Sequence, residues 1–212
     1  MSNQKVYSET PLAVVADVSR IATRVVDRIT GDRADFPLLV ALAAARRLAK
    51  YDIRADVMYG RAAWVEVLEN STPVWTGAWK DHSHFWVATQ FGETVDLTAA
   101  VSYKKRGGNP DIHPQYSPPL LWSKDYPRFY RYFPEGIAEL ETPSDPKFAR
   151  WVELVLSEMD RHPLTDVNAT ENLDFPDEPL LCNGRRLLDD GAETFKNFDR
   201  VLGVRGIPES PI

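Results

Sequence analysis

Apolar residues recur at spacings of three and four from position 11 to position 29, where Val14, Val18, Ile21, Ala22, Val25 and Ile29 mark one face of an amphipathic helix. Thr10 and Pro11 supply a cap and a first-turn proline, and Gly31 a stop. Asp35 followed by Pro37 predicts a second start, because an Asx cap and an early proline suit the unpaired N–H groups of a first turn. Residues 36 to about 50 are nearly all apolar until Arg46, the pattern of a central helix. The period then changes. Residues 53–59 and 61–68, rich in Val, Tyr and Trp and divided by Gly60, read as strands. Residues 85–89 and 93–98 read as a hairpin around Gln90-Phe91-Gly92. Residues 107–134 hold six prolines and no period, which predicts an ordered irregular segment lying over the domain. Ser144-Asp145-Pro146 starts a third helix, with Phe148, Trp151, Val152, Val155 and Met159 at helical spacing. From about residue 163 the composition turns to Pro, Asp and Asn, a Pro-rich C-terminal extension with a short helix near 192–202. The expectation is a single α+β domain over residues 1–212, with N-terminal helices packed on an antiparallel sheet.

Composition narrows the function classes. Hydrophobic residues make up 43% and charged residues 26% of the 212, an ordinary globular balance that argues against disorder. A formal charge of −6 gives no general pull toward nucleic acid or an anionic membrane, so neither is expected as a partner. The chain holds no apolar run of the roughly 18 to 20 residues that span a bilayer, and its polar start MSNQKVYSET lacks the profile of a secretory signal. A cytoplasmic location is expected. The single cysteine, Cys182, excludes an internal disulfide and a multi-cysteine zinc site. The sequence contains no Gly-rich phosphate loop, no serine elbow and no zinc-protease helix, and no cofactor is expected.

The hairpin carries the chemistry. If Gln90-Phe91-Gly92 is a three-residue loop with Gly92 in the left-handed region, Thr89 pairs with Glu93, Trp86 lies opposite Asp96 and His84 opposite Thr98. His82, His84 and Trp86 then share a face with Asp96, and His84 is diagonal to that carboxylate. A two-residue loop would put Asp96 on the other face. A carboxylate behind a histidine fixes its tautomer and stabilises its protonated form, the arrangement of bases that activate a cysteine or serine nucleophile.

His84-Phe85-Trp86-Val87, then Gly92 and Val95-Asp96-Leu97-Thr98, resembles the transglutaminase-like and arylamine N-acetyltransferase-like branch of the papain-like superfamily. The segment from Asp52 to Gly60 resembles the strand that follows that family's nucleophile helix. The resemblance covers about residues 30–98. It implies a papain-like, transglutaminase-like fold and makes His84 and Asp96 two members of a Cys-His-Asp triad. The family cysteine stands at the start of the preceding helix, which falls here near Phe36 or Pro37. No Cys or Ser lies between residues 30 and 51, and the only Thr there is Thr30 itself. The nucleophile position is vacant, so the resemblance implies a protein that has lost acyl transfer and binds a small molecule or peptide in the inherited cleft.

Other readings stand beside that one. His84 and Asp96 also suit a buried hydrogen-bonded pair that rigidifies a hairpin. Cys182 would be a displaced nucleophile of an acyl transferase or amide hydrolase if the tail folds back over the pair, and otherwise a small buried residue. His82 and His84 near Asp81 and Asp96 would suit a metal-assisted hydrolase but lack a third firm ligand, so no metal site is assigned. Asp35, Trp86 and His82 are the candidate binding residues around the pair. In the run 122–133, rich in aromatic and basic residues, packed aromatics with solvated arginines compete with a ligand-stacking surface.

Overall fold

A computed structural model describes residues 7–68, 73–79, 83–106, 117–125, 129–139, 143–182 and 185–187. The fold is α+β: three helices pack against each other and against one face of a curled, mixed sheet.

Helix α1 (Leu12–Thr30) ends where Gly31, at φ 93°, donates its N–H to the Asp27 carbonyl at 2.8 Å. Thr10 does not cap it. The Thr10 N–H and hydroxyl instead donate to the Glu93 carboxylate at 3.0 and 2.6 Å, which ties the chain before α1 to the hairpin turn. Helix α2 (Pro37–Ala49) begins at Phe36 with no side-chain cap. The expected Asp35 cap is a correction: Asp35 is exposed at the end of a 3₁₀ turn (Arg33–Asp35), and it is Asp32 that accepts the Ala34 N–H, at 2.9 Å. Helix α3 (Pro146–Arg161) starts as the sequence predicts, with Asp145 accepting the Lys147 N–H at 2.9 Å.

Strand β1 (Ala55–Val67) is one strand where two were expected. Gly60 is a bulge, at φ 156°, and a Cβ there would lie 2.2 Å from the Phe133 carbonyl oxygen. One edge of β1 takes β3 (His84–Thr89) along its first half and β2 (Pro73–Ala78) along its second; the other edge takes β6 (Tyr130–Ile137). Beyond β3 come β4 (Thr94–Asp96), β5 (Leu120–Ser123), β7 (Leu180–Cys182) and β8 (Arg185–Leu187).

Three expectations change here. The Pro-rich region supplies strands β5 and β6, because its apolar stretches pair with distant partners that no local pattern reveals. The C-terminal extension is part of the sheet, β7 running parallel to β5, so the sheet is mixed. The short helix expected at 192–202 lies outside the described residues.

Strand alternation sorts the side chains between two faces. Val57, Val87, Val95, Trp122 and Cys182 share a core with α1, α2 and α3. Trp64, Leu121, Tyr130 and Leu181 form a second cluster. Asp96 aligns with Leu121, and His84 is three residues from Val87, so both project to the second face. That face is concave. Tyr132 on β6 hydrogen-bonds Asp96 on β4 although three strand spacings, roughly 14 Å in a flat sheet, separate the two strands.

A buried ion pair fixes the tail to the helices. Arg47, fully buried, donates to both Asp17 carboxylate oxygens at 2.7 and 3.1 Å and to the His162 carbonyl at 2.7 Å and the Pro163 carbonyl at 2.5 Å. The Thr165 hydroxyl also donates to Asp17, at 3.0 Å. Arg33, 3% exposed, adds a second tie by pairing with Asp27 and Glu178.

Candidate functional site

The Gln90-Phe91-Gly92 loop sets the register. The Thr89 N–H donates to the Glu93 carbonyl at 3.0 Å, the Gly92 N–H to the Thr89 carbonyl at 2.9 Å, and Gly92 takes φ 77°. Val87 aligns with Val95 and Ala88 with Thr94, the frame that sets Trp86 opposite Asp96. The Glu93 carboxylate locks the turn, accepting from the Thr89 hydroxyl at 2.8 Å and the Trp122 indole N–H at 3.2 Å.

His84 Nε2 lies 2.8 Å from Asp96 Oδ2, and the two residues are 4% and 1% exposed. The same oxygen accepts the Tyr132 hydroxyl at 2.8 Å. Oδ1 accepts the Thr98 N–H at 2.9 Å, the Thr98 hydroxyl at 2.8 Å and the Ala99 N–H at 3.2 Å. Five contacts thus converge on one carboxylate. Burial pushes Asp96 up, and the His84 charge, the His84 hydrogen bond and the donors from Thr98 and Tyr132 outweigh it, holding the carboxyl at about 2. The Thr98 N–H bond is the local Asx motif of a turn, which explains why Val-Asp-x-Thr straddles the end of a strand that stops at Asp96.

Aromatic rings wall the imidazole. The Trp64 ring centre lies 5.3 Å from that of His84 and the Trp86 ring centre 6.4 Å, and Trp86 packs on Tyr132 at 5.1 Å. Tyr132, Trp64 and Thr98 complete the pair; Thr98 belongs to the Val95-Asp96-Leu97-Thr98 motif, and no motif singles out Trp64 or Tyr132. Tyr132 lies within the aromatic and basic run, whose Trp122, Phe129 and Tyr130 are buried as packing, while its residues 126–128 lie outside the described residues.

Helix α2 starts near this end of the sheet. Arg33 Nε donates to the Leu97 carbonyl at 3.3 Å, and Pro37 shares a void of about 10 Å³ with Trp86, Leu97 and Thr98, just enough for one water. The position where the resemblance places a nucleophile holds no reactive group. The Phe36 ring turns away to meet Trp151 of α3 edge-on at 4.9 Å, and α2 covers the Val87 and Val95 face, opposite His84. Cys182 sits on that same helical face, buried at 2% exposure and aligned with Trp122, so the sheet separates its side chain from the His84 side chain. In this arrangement the Cys182 thiol and the His84 imidazole do not meet. Asp35, exposed, forms no part of the pair's hydrogen-bonded shell, and His82 lies outside the described residues. Among the described residues no group of three or more His, Cys, Asp or Glu is arranged to hold a metal ion, and no helix is long and apolar enough to cross a membrane.

A larger recess of about 300 Å³ opens on the helical face. Leu38 in the first turn of α2, Phe148 in the first turn of α3, Tyr59 of β1 and Phe85 of β3 line it with Glu139 and Pro143. No local sequence pattern points to it, because its walls come from five separate segments.

No family model matches the chain, and no curated protein matches it. A crystal structure described only as a genomics target superposes on 86% of this chain and 100% of its own length with a TM-score of 0.42 and 13% identity, a likeness too weak to argue fold family or function.

Proposed function

We propose that this chain is a non-catalytic binding domain of papain-like, transglutaminase-like type, in which the His84–Asp96 pair is a buried tie and a small molecule or peptide occupies the recess between α2, α3 and the sheet. The saturation of Asp96 carries the reading: the carboxylate meets five donors while the imidazole it holds is walled by Trp64 and Trp86. General-base assistance gives about 10² to 10⁴ in rate only when there is a proton to take from a nucleophile. Phe36 and Pro37 offer none, and Cys182 faces the other way. The recess has the volume of a small-molecule site at the lower end of the usual range, with apolar walls and few polar groups.

Purified protein assayed with amide, glutamine-amine and arylamine acyl-transfer substrates should show no turnover above buffer, and His84→Asn should lower the melting temperature. Turnover that His84→Asn abolishes in a variant still folded by circular dichroism would overturn the proposal.

A further inference from the structure

We infer that the recess takes a small free quaternary ammonium compound, held by the rings of Tyr59, Phe85 and Phe148 with Glu139 as its counter-charge. The inference rests on the recess being the ligand site proposed above.

The sheet register builds the cage. Tyr59 aligns with Phe85 on one side and Gly136 on the other. A Cβ at Gly136 would lie 2.8 to 3.1 Å from two ring carbons and the hydroxyl oxygen of Tyr59, so the absent side chain is what lets that ring lean over β6. Ala138 continues the floor, its N–H bound to the Val57 carbonyl at 2.7 Å. Phe148 comes from the opposite wall, on α3.

All three rings are half-buried, Phe85 and Phe148 against the helical core and Tyr59 over Gly136. Among the described residues none of them pairs with another ring or carries a Lys or Arg, whereas neighbouring Phe36 and Lys147 are both engaged with Trp151. Glu139 is exposed at the rim and has no ion-pair partner among the described residues. Aromatic faces attract a cation through their quadrupoles, and a methylated ammonium, which has no N–H donor to leave unpaired, gives up less hydration on entering an apolar cavity than a primary ammonium does. A carboxylate at the mouth adds attraction for a cation and repels an anion. The opposing influence is the uncapped start of α2 at Leu38, whose dipole favours negative charge.

The test titrates the full chain with choline, with its neutral isostere 3,3-dimethylbutan-1-ol and with the anion 3,3-dimethylbutanoate, following the amide resonances of Gly136, Ala138 and Glu139. Choline should bind about tenfold more tightly than the alcohol, and the anion most weakly. Glu139→Gln, an exposed change that leaves the fold alone, should weaken choline about threefold and leave the alcohol unchanged. Equal binding of choline and the alcohol, or preference for the anion, would overturn the inference while leaving the recess as a binding site. Tighter binding of a trimethyllysine peptide or of phosphatidylcholine vesicles would overturn the free small molecule as occupant. No resonance shift with any probe would overturn the inference and the choice of recess together.

Discussion

Replacing Asp96 with asparagine tests the buried tie directly. The wild-type carboxyl sits at about 2 in the folded protein against 3.8 for an ordinary aspartate. A folded-state value below the unfolded one means that the ionised form is what the fold stabilises. The contribution is therefore fully present above the unfolded value and is lost as pH falls toward the folded one. A tenfold difference in proton affinity between the two states is worth about 1.4 kcal/mol, so the Asp96 charge contributes about 2 kcal/mol at neutral pH. About 1 kcal/mol of it disappears between pH 5 and pH 3, and the rest below. Asparagine keeps one acceptor for Thr98 and Ala99 but turns an NH₂ toward His84 and Tyr132, so Asp96→Asn should cost about 2 to 4 kcal/mol at pH 7. Urea unfolding of both proteins at pH 7, 5, 4 and 3 gives the stability difference at each pH. It should narrow by about 1 kcal/mol between pH 5 and pH 3, because wild type loses what the variant never had. A difference that stays constant with pH would show that the Asp96 charge does not stabilise the fold.

Arg47→Met leaves the buried Asp17 carboxylate with the Thr165 hydroxyl and, at 4.0 Å, the Arg20 guanidinium in place of its bidentate partner, and should cost about 3 kcal/mol by urea unfolding, with faster amide exchange at Thr165, the residue the pair anchors. Gly60→Ala forces a Cβ against the Phe133 carbonyl at a φ that L-residues avoid, and should lower the melting temperature by several degrees, while Gly31→Ala, which meets no atom within 4 Å, should cost only the backbone strain. Cys182 should resist a thiol reagent in native buffer and react fully in urea; rapid native labelling would show that β7 is not seated against β5.

The legible parts of this fold are those whose causes are local. The loop at Gln90-Phe91-Gly92 is written in three residues, and from it the register and the shared face of His84 and Asp96 follow. Helix α3 is announced by Asp145-Pro146 and by its apolar stripe. The illegible parts depend on partners far away in sequence. Tyr132 reaches Asp96 only because the sheet curls, and curl is not encoded in any single strand. Asp35 resembles a helix cap because Pro37 follows it, yet the chain spends those residues on a 3₁₀ turn that Asp32 caps. Alternation says which residues share a face with His84 but not which face the helices cover, and that choice leaves Phe36 and Cys182 on the far side. Gly60 reads as a break between strands because a glycine that ends a strand and one that admits a crossing carbonyl look alike in sequence.

The parallel pairing of β5 with β7 has a consequence for how the protein is made. Synthesis proceeds from the N-terminus, so Tyr132 is available to complete the His84–Asp96 tie long before Leu180 emerges to lie beside Leu120. During that interval the outer edge of β5, a run of four residues that end fully buried, has open N–H and C=O groups and no neighbour. Such an edge is a template for another chain, and pairing across a long sequence separation is slow. The growing polypeptide is exposed to such pairing until β7 arrives, and the Arg47 and Arg33 ties, which seize the tail at residues 162–165 and 178, shorten the search that β7 must make.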